Sequence, residues 1–110
     1  MRYLVINQKM LCIRSLCNDD ISFNFYSIMN LLRDEYRLKF IENPNRILND
    51  AYNKYFVIDD ETNKIIVGIG IIHIEYCGEI SSVCNIKNIL INEKYKNLNL
   101  KEEFINYLHH

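Results

Sequence analysis

Lys96-Asn97-Leu98-Asn99-Leu100-Lys101 closes a short polar loop, and its two lysines carry the side chains best suited to hold a phosphate. Two ammonium groups flank two asparagines, and asparagine tolerates positive φ better than most residues. Upstream, Val83-Cys84-Asn85-Ile86-Lys87-Asn88-Ile89-Leu90-Ile91 ends in an apolar, β-branched run and reads as a buried strand. Downstream, Leu100, Phe104, Ile105 and Leu108 recur on one face at helical spacing. A strand, a short basic loop and a helix start together form an anion site. The first turn of a helix leaves backbone N–H groups unpaired, and the helix dipole adds positive potential there. Lys96 and Lys101 add mobile charge, and a pyrophosphate is the natural guest.

Other chemistry-bearing residues are weaker candidates. His73 and Glu75 stand two apart in an apolar run, so a strand puts them on one face, where they could form a general-base pair. A hydrogen-bonded strand histidine is the plainer reading. Cys12, Cys17, Cys77 and Cys84 include no CxxC pair and no histidine at zinc-ligand spacing, so no metal site is expected. Free thiols, buried or half-buried, in a reducing compartment fit them better. The eight tyrosines could include a general acid, but amphipathic core-edge residues account for most of them.

The elements that must position the loop can be read in order. Leu11 to Leu16, interrupted by Arg14, predicts a first strand. Asn18-Asp19-Asp20 is a helix start, and Ile21, Phe25, Ile28, Met29 and Leu32 form the stripe of a first helix. Arg33 to Arg37 is a charged junction. Leu38, Phe40 and Ile41 suggest a short second helix, broken at Asn43-Pro44. Pro44 suits the start of a further helix capped by Asn43, which would turn Ile47, Leu48 and Ala51 to the core. Tyr55 to Ile58, a polar turn from Asp59 to Lys64, and Ile65 to Tyr76 make the clearest hairpin. Gly68 and Gly70 share a face of its long strand, leaving a bare strip for a ligand, another backbone or a bulky helix side chain. Cys77-Gly78-Glu79 reads as a turn. The order is strand, helices, three antiparallel strands, helix, which is α+β.

Length and charge narrow the class. The 110 residues make one domain, 1–110, with one core. A 49% hydrophobic share excludes a disordered chain, and a net charge of −1 gives no case for nucleic acid. No apolar run approaches the roughly 20 residues of a membrane span. Met1 to Leu11 lacks a cleavage site and reads as mature protein.

With these residues in view, the chain resembles the GNAT acetyltransferases, and within them the glucosamine-6-phosphate N-acetyltransferase branch. Ile13-Arg14-Ser15-Leu16 is similar to the family's opening Ile-Arg-x-Leu strand, with Asp19 or Asp20 at the acidic position after it. Tyr55-Phe56-Val57-Ile58-Asp59-Asp60-Glu61-Thr62-Asn63-Lys64-Ile65-Ile66-Val67-Gly68-Ile69-Gly70 resembles the central hairpin, and Ile74-Glu75 its end. Asn85-Ile86-Lys87-Asn88-Ile89-Leu90-Ile91-Asn92-Glu93-Lys94-Tyr95-Lys96 resembles His-Ile-Glu-Asp-Ile-Val-Val-Asp-x-x-Tyr-Arg.

The resemblance implies a GNAT-like α+β fold, a mainly antiparallel sheet flanked by helices. It implies acetyl transfer from acetyl-CoA to the amine of D-glucosamine 6-phosphate, feeding UDP-N-acetylglucosamine synthesis, in a cytoplasmic homodimer without a metal. The family's pyrophosphate loop, Arg/Gln-x-x-Gly-x-Gly/Ala, falls on Lys96 to Lys101, with Asn99 and Lys101 where glycines are expected. The backbone of Ile89, Leu90 and Ile91 would pair with the pantetheine arm like an added strand. An N–H near Leu90 would polarise the thioester carbonyl, which makes Leu90 the catalytic position. The family's sugar-facing Glu-Asp pair falls on Lys87 and Asn88, next to Ile89, and its His falls on Asn85; all three have lost the family's side chain. Arg33 and Arg37 lie near where the family's first helices meet the sugar phosphate. The stretch from Tyr76 to Val83 is shorter than the family's, and the chain stops at His110, where the family adds a strand, a helix and a strand. Those elements carry one cleft wall, a tyrosine that protonates the thiolate and part of the dimer interface. Three readings stay open: this N-acetyltransferase, an acetyltransferase for another amine, and a truncated, inactive module acting by dimerisation through an open strand edge.

Overall fold

Two hairpins and a fifth strand build a single antiparallel sheet. The structure is a computed structural model that describes residues 1–6, 8–77 and 81–108. β1 (Arg2–Ile6) turns back into β2 (Lys9–Ser15), with Gln8 at φ 66°. Four short helices follow: α1 (Asn18–Phe23), α2 (Phe25–Leu31), α3 (Asp34–Glu42) and α4 (Pro44–Leu48). Then come β3 (Asn53–Asp60), β4 (Ile65–Cys77) and β5 (Ser81–Ile91), a 3-10 helix (Glu93–Leu98) and α5 (Leu100–Leu108). The strands lie in the order β1-β2-β3-β4-β5, every neighbour antiparallel. No helix among the described residues is long and apolar enough to cross a membrane.

Several expectations need correction. The N-terminal patch is a strand of its own, so two strands precede the helices. Its alternation was hidden because the outward residues Tyr3 and Val5 are themselves apolar. The first helix is two helices, divided at Asn24, whose φ of −119° and ψ of 18° leave the helical region. The charged junction opens α3, and within it Tyr36 is buried. Of Leu38, Phe40 and Ile41, only Phe40 reaches the core. Ala51 is exposed, whereas Ile47 is buried. Asn43 does cap α4, accepting a hydrogen bond from the Arg46 amide at 3.3 Å with Pro44 in the first turn. The expected turn at Cys77-Gly78-Glu79 lies partly outside the described residues, as do His109 and His110.

Each face of the sheet has its own core. On one face Ile28, Leu32, Tyr36, Phe40 and Ile47 from the helices cover Tyr55, Val57, Ile69 and Ile71. On the other, Tyr95, Leu100 and Phe104 cover Leu11, Ile13, Ile58 and Val67. The bare strip on β4 lies on this second face, and side chains fill it. A Cβ on Gly70 would stand 2.9 Å from Phe104 Cζ, and one on Gly68 would stand 2.9 Å from Ile58 Cδ1. The strip therefore seats α5; it is not open to a ligand.

An ion pair locks the helices to the sheet. Arg14 donates from Nη1 to Asp20 Oδ2 and from Nη2 to Asp20 Oδ1, both at 2.7 Å, and from Nη2 to Asp59 Oδ2 at 3.2 Å. Asp20, fully buried, also accepts from the Cys17 amide at 2.9 Å and from Asn24 Nδ2 at 2.9 Å. Its reach back to the residue before α1 is half of a capping box. Burial pushes the Asp20 carboxyl up, but the hydrogen bonds from Arg14 and Cys17 outweigh it and hold the group below the ordinary carboxylate range.

Two outcomes are expected. A folded-state pKa below the unfolded value of about 3.9 means that Asp20 stabilises the fold fully above that pH and loses its contribution as pH falls through the lower folded value. Asp20→Ala, which leaves Arg14 without its main partner, costs about 3–5 kcal/mol, and urea unfolding at pH 7 and pH 3 would show the loss shrinking at the acid end. Gly70→Ala overpacks the Phe104 ring and costs about 1–3 kcal/mol. Combining it with Phe104→Leu should cost less than the sum of the two single changes, read by the same denaturation midpoints.

Candidate functional site

β5 is an edge strand, and its register sets which peptide groups face outward. Gly68, Ile69 and Gly70 pair with Ile91, Leu90 and Ile89, and the Asn92 amide donates to Val67 O at 2.8 Å. Antiparallel partners alternate between exchanging hydrogen bonds and not doing so. Asn92 with Val67 is a bonding pair, so Leu90 with Ile69 is the next one. The Leu90 N–H therefore points into the sheet. This corrects the expectation that Leu90 supplies the polarising amide: the outward N–H groups of this run belong to Ile89 and Ile91. Sequence spacing could not choose between them, because a shift of one residue exchanges inward and outward groups. Lys87 has no partner between the pairs Ile71 with Asn88 and Ile72 with Ile86, which makes it a β-bulge at the head of the run.

The polar loop expected after β5 is a 3-10 helix. Asn92 caps it, accepting from the Lys94 amide at 3.0 Å. Its end is Asn99 at φ 56° and ψ 30°, the left-handed conformation that glycine adopts most easily. Asn97 lies within the 3-10 helix and keeps a negative φ. A buried carboxylate fixes this helix in place. Asp60, at the end of β3, accepts from Tyr95 Oη at 2.6 Å, from the amides of Thr62 and Asn63 at 3.0 and 3.1 Å, and from Asn63 Nδ2 at 2.8 Å. Burial pushes the Asp60 carboxyl up, but Tyr95 and Asn63 outweigh it and hold the group below the ordinary range. Burial and the Asp60 charge raise the Tyr95 phenol, so it stays a donor. Neither residue stands out in the sequence as functional, although the spacing of Asp60 to Asn63 signals an Asx-type turn.

Two contiguous hollows lie against β5. One, of about 420 Å3, is lined by Ile89, Ile91, Lys96, Asn99, Leu100 and Lys101, with Glu102 beside them. The other, of about 550 Å3, runs from Ile89, Leu90 and Ile91 past Lys96 to Arg33 on the helix side. Ile89, Ile91 and Lys96 line both. Of the six loop residues, Asn97 is exposed and Leu98 is half-buried against the α5-side core, and neither lines either hollow. The Leu100 side chain is buried, so it offers only its amide. The first intrahelical bond of α5 runs from the Glu103 amide to Asn99 O, so the amides of Leu100, Lys101 and Glu102 precede it at the helix start. Apolar walls, two ammonium groups and this helix start fit a CoA pyrophosphate and arm. Glu102 opposes it, and Lys96 is shared with Glu93 at 3.4 Å.

The helix side of the groove differs from expectation. Asn88 Nδ2 donates to Tyr36 Oη at 3.4 Å, and Lys87 Nζ lies 5.5 Å from the centre of the Tyr36 ring. Arg33 is exposed at the rim. Arg37 is spent on structure, donating to Met29 O at 3.2 Å and Leu32 O at 3.0 Å where α2 ends. His73 lies 3.8 Å from Glu75 and 3.2 Å from Asn53 Oδ1, away from both hollows. Of the described cysteines Cys12 is buried, whereas Cys17 and Cys84 are exposed free thiols.

Tyr95→Phe keeps the ring packing and removes one donor from Asp60. It should cost about 1–3 kcal/mol and lower hydrogen-exchange protection in the 3-10 helix before that of β3. Uniform loss of protection would show that the bond does not fix the helix.

No protein-family model matches the chain, and no curated protein matches it. Solved structures do. Glucosamine-6-phosphate N-acetyltransferase from Arabidopsis thaliana superposes with a TM-score of 0.62 at 18% identity, over 90% of this chain and 71% of that one. An acetyltransferase from Trypanosoma brucei gives 0.64 at 20% identity, over 89% and 71%. AAC(6')-Iy, solved with the bisubstrate analogue CoA-S-monomethyl-acetylneamine, gives 0.62 at 15% identity, over 90% and 69%. The chain has the α+β fold of the GNAT acetyltransferases.

Proposed function

We propose that the chain transfers the acetyl group of acetyl-CoA to the amine of D-glucosamine 6-phosphate, a step toward UDP-N-acetylglucosamine. The observation that carries this reading is the outward backbone of Ile89 and Ile91 on an edge strand, beside the start of α5, in a GNAT fold. In this reading the pantetheine arm adds to β5 as a strand would. The pyrophosphate lies against the amides of Leu100, Lys101 and Glu102, with Lys96 and Lys101 supplying charge and Asn99 taking the conformation of the missing glycine. The acceptor nitrogen attacks the thioester carbon; a C–N bond forms, the C–S bond breaks, and the proton lost by the amine balances the departing thiolate. The Ile89 amide, in place of that of Leu90, donates to the carbonyl oxygen as charge builds there. Asn88, Lys87 and Arg33 face the acceptor, and the two cations suit a phosphate. A homodimer belongs to the same reading, supported by the outer edge of β5.

One observation favours a second reading, acetyl transfer to another amine. Lys87 and Asn88 replace the carboxylates that would hold an ammonium group, and Asn88 is already engaged by Tyr36.

Acetyl-CoA at a hundredfold excess over its Kd should stabilise the chain by about 2.7 kcal/mol, read as a rise in melting temperature. Lys101→Glu should weaken that binding about tenfold, or about 1.4 kcal/mol. Thiol release with glucosamine 6-phosphate supports the first reading. Release only with a different amine supports the second. No thermal shift with acetyl-CoA would rule out both.

A further inference from the structure

We propose that β1 is a self-pairing edge, where a second copy of this chain docks antiparallel and joins the two sheets across a two-fold axis at Leu4. β1 and β5 are the two edges of the sheet. The direction of the β1 peptide groups follows from its neighbours. The Glu61 amide donates to Met10 O and the Leu16 amide to Tyr55 O, both at 2.9 Å, so Met10, Cys12, Arg14 and Leu16 turn their peptide groups toward β3. Lys9, Leu11 and Ile13 then turn theirs toward β1, where they pair with Ile6, Leu4 and Arg2. Tyr3 and Val5 are left with their N–H and C=O groups pointing out of the sheet.

The side chains of the same two residues are exposed and apolar. Tyr3 is 55% exposed and Val5 72%, and Met10, which pairs with Val5, is 46% exposed. They share the face of Arg14 and Val57, which the helices cover further into the sheet. The helix-side core contains no β1 residue among those described. Strand edges are usually blunted by a charge, a proline or a bulge. β1 keeps an unbroken register with β2 and has no proline, and its one charge, Arg2, stands at its end and reaches Glu103 at 3.2 Å.

The pattern selects a second copy as the occupant. When Arg2–Ile6 overlaps fully with its own copy, Leu4 meets Leu4 at the axis, and Tyr3 meets Val5 on either side of it. Each Tyr3–Val5 pair exchanges two hydrogen bonds, so the two pairs make four and use every outward group of these residues. An aromatic ring then lies beside a β-branched side chain, and Arg2 meets Ile6, so no like charges oppose each other. The contact is isologous and closes as a dimer. Five residues a side is well short of the roughly 20–30 of a standard interface, so the dimer forms only as concentration rises. β1 pairing does not rest on the acetyl-transfer reading, and it leaves the β5 edge to the arm of acetyl-CoA.

The test is sedimentation of the full chain over a concentration series, with amide hydrogen exchange read at both ends of it. A dimer and nothing larger is expected. The Tyr3 and Val5 amides should gain protection as it forms, while those of Leu4 and Ile6, which already face β2, and of Ile89 and Ile91 should not. Val5→Pro removes an outward donor and no β1–β2 bond, so it should raise the dimer Kd about thirtyfold through the loss of two of the four hydrogen bonds. Val5→Lys, at an exposed position, should raise it about tenfold and leave the melting temperature of the dilute monomer unchanged. A chain that stays monomeric at millimolar concentration would overturn the proposal. So would a dimer that both variants leave intact, or one that protects Ile89 and Ile91 in place of Tyr3 and Val5.

Discussion

The groove depends on one buried carboxylate. Asp60 ends β3, tightens the turn into β4 through the Thr62 and Asn63 amides, and holds the Tyr95 hydroxyl at 2.6 Å. A carboxylate removed from water is costly unless its oxygens find donors, and here four groups supply them. That requirement makes the arrangement discriminating. The hairpin turn and the 3-10 helix are remote in sequence, yet neither satisfies Asp60 alone. Because the 3-10 helix leads directly to Asn99 and α5, the same bonds set where the helix start lies relative to β5.

A second constraint fixes the depth of that helix. Phe104 lies on Gly70 so closely that a single added carbon would collide with it. The bare strip on β4 draws α5 down onto the sheet, while Leu100 and Tyr95 bury themselves against Val67 and Ile58. Ile89 and Ile91 are left half-buried at the rim, so they serve as apolar walls and still present outward peptide groups. On the opposite face the Arg14–Asp20 pair plays a comparable part, tying α1 to β2 and β3 through a bidentate contact that neither partner can relinquish cheaply.

The electrostatics of the groove are moderate. Lys96 and Lys101 are exposed, Glu93 shares the first, and Glu102 lies beside the second. Binding of a diphosphate here would lean on backbone amides more than on side-chain charge. On the helix side, Lys87 lies 5.5 Å from the centre of the Tyr36 ring and has no carboxylate partner among the described residues.

Much of the architecture was legible from local pattern. Alternation and turn residues located the β3–β4 hairpin, the Asn43-Pro44 pair marked a helix start, and the Leu100, Phe104 and Leu108 spacing marked α5. These are short-range properties, in which a residue and its neighbours within a turn or a pleat decide the outcome. Strand β1 escaped because both of its faces are apolar, and Tyr36 because charged neighbours masked a buried ring. The register of β5 is different in kind. Whether Leu90 or Ile89 turns its amide outward depends on which β4 residue it pairs with, on the far side of the bulge at Lys87. The amino-acid sequence by itself determined the β3–β4 hairpin, the starts of α4 and α5 and the basic character of the latter. Only the tertiary structure decided which backbone groups face the groove and that Tyr95 holds its wall, because both follow from contacts between residues far apart along the chain.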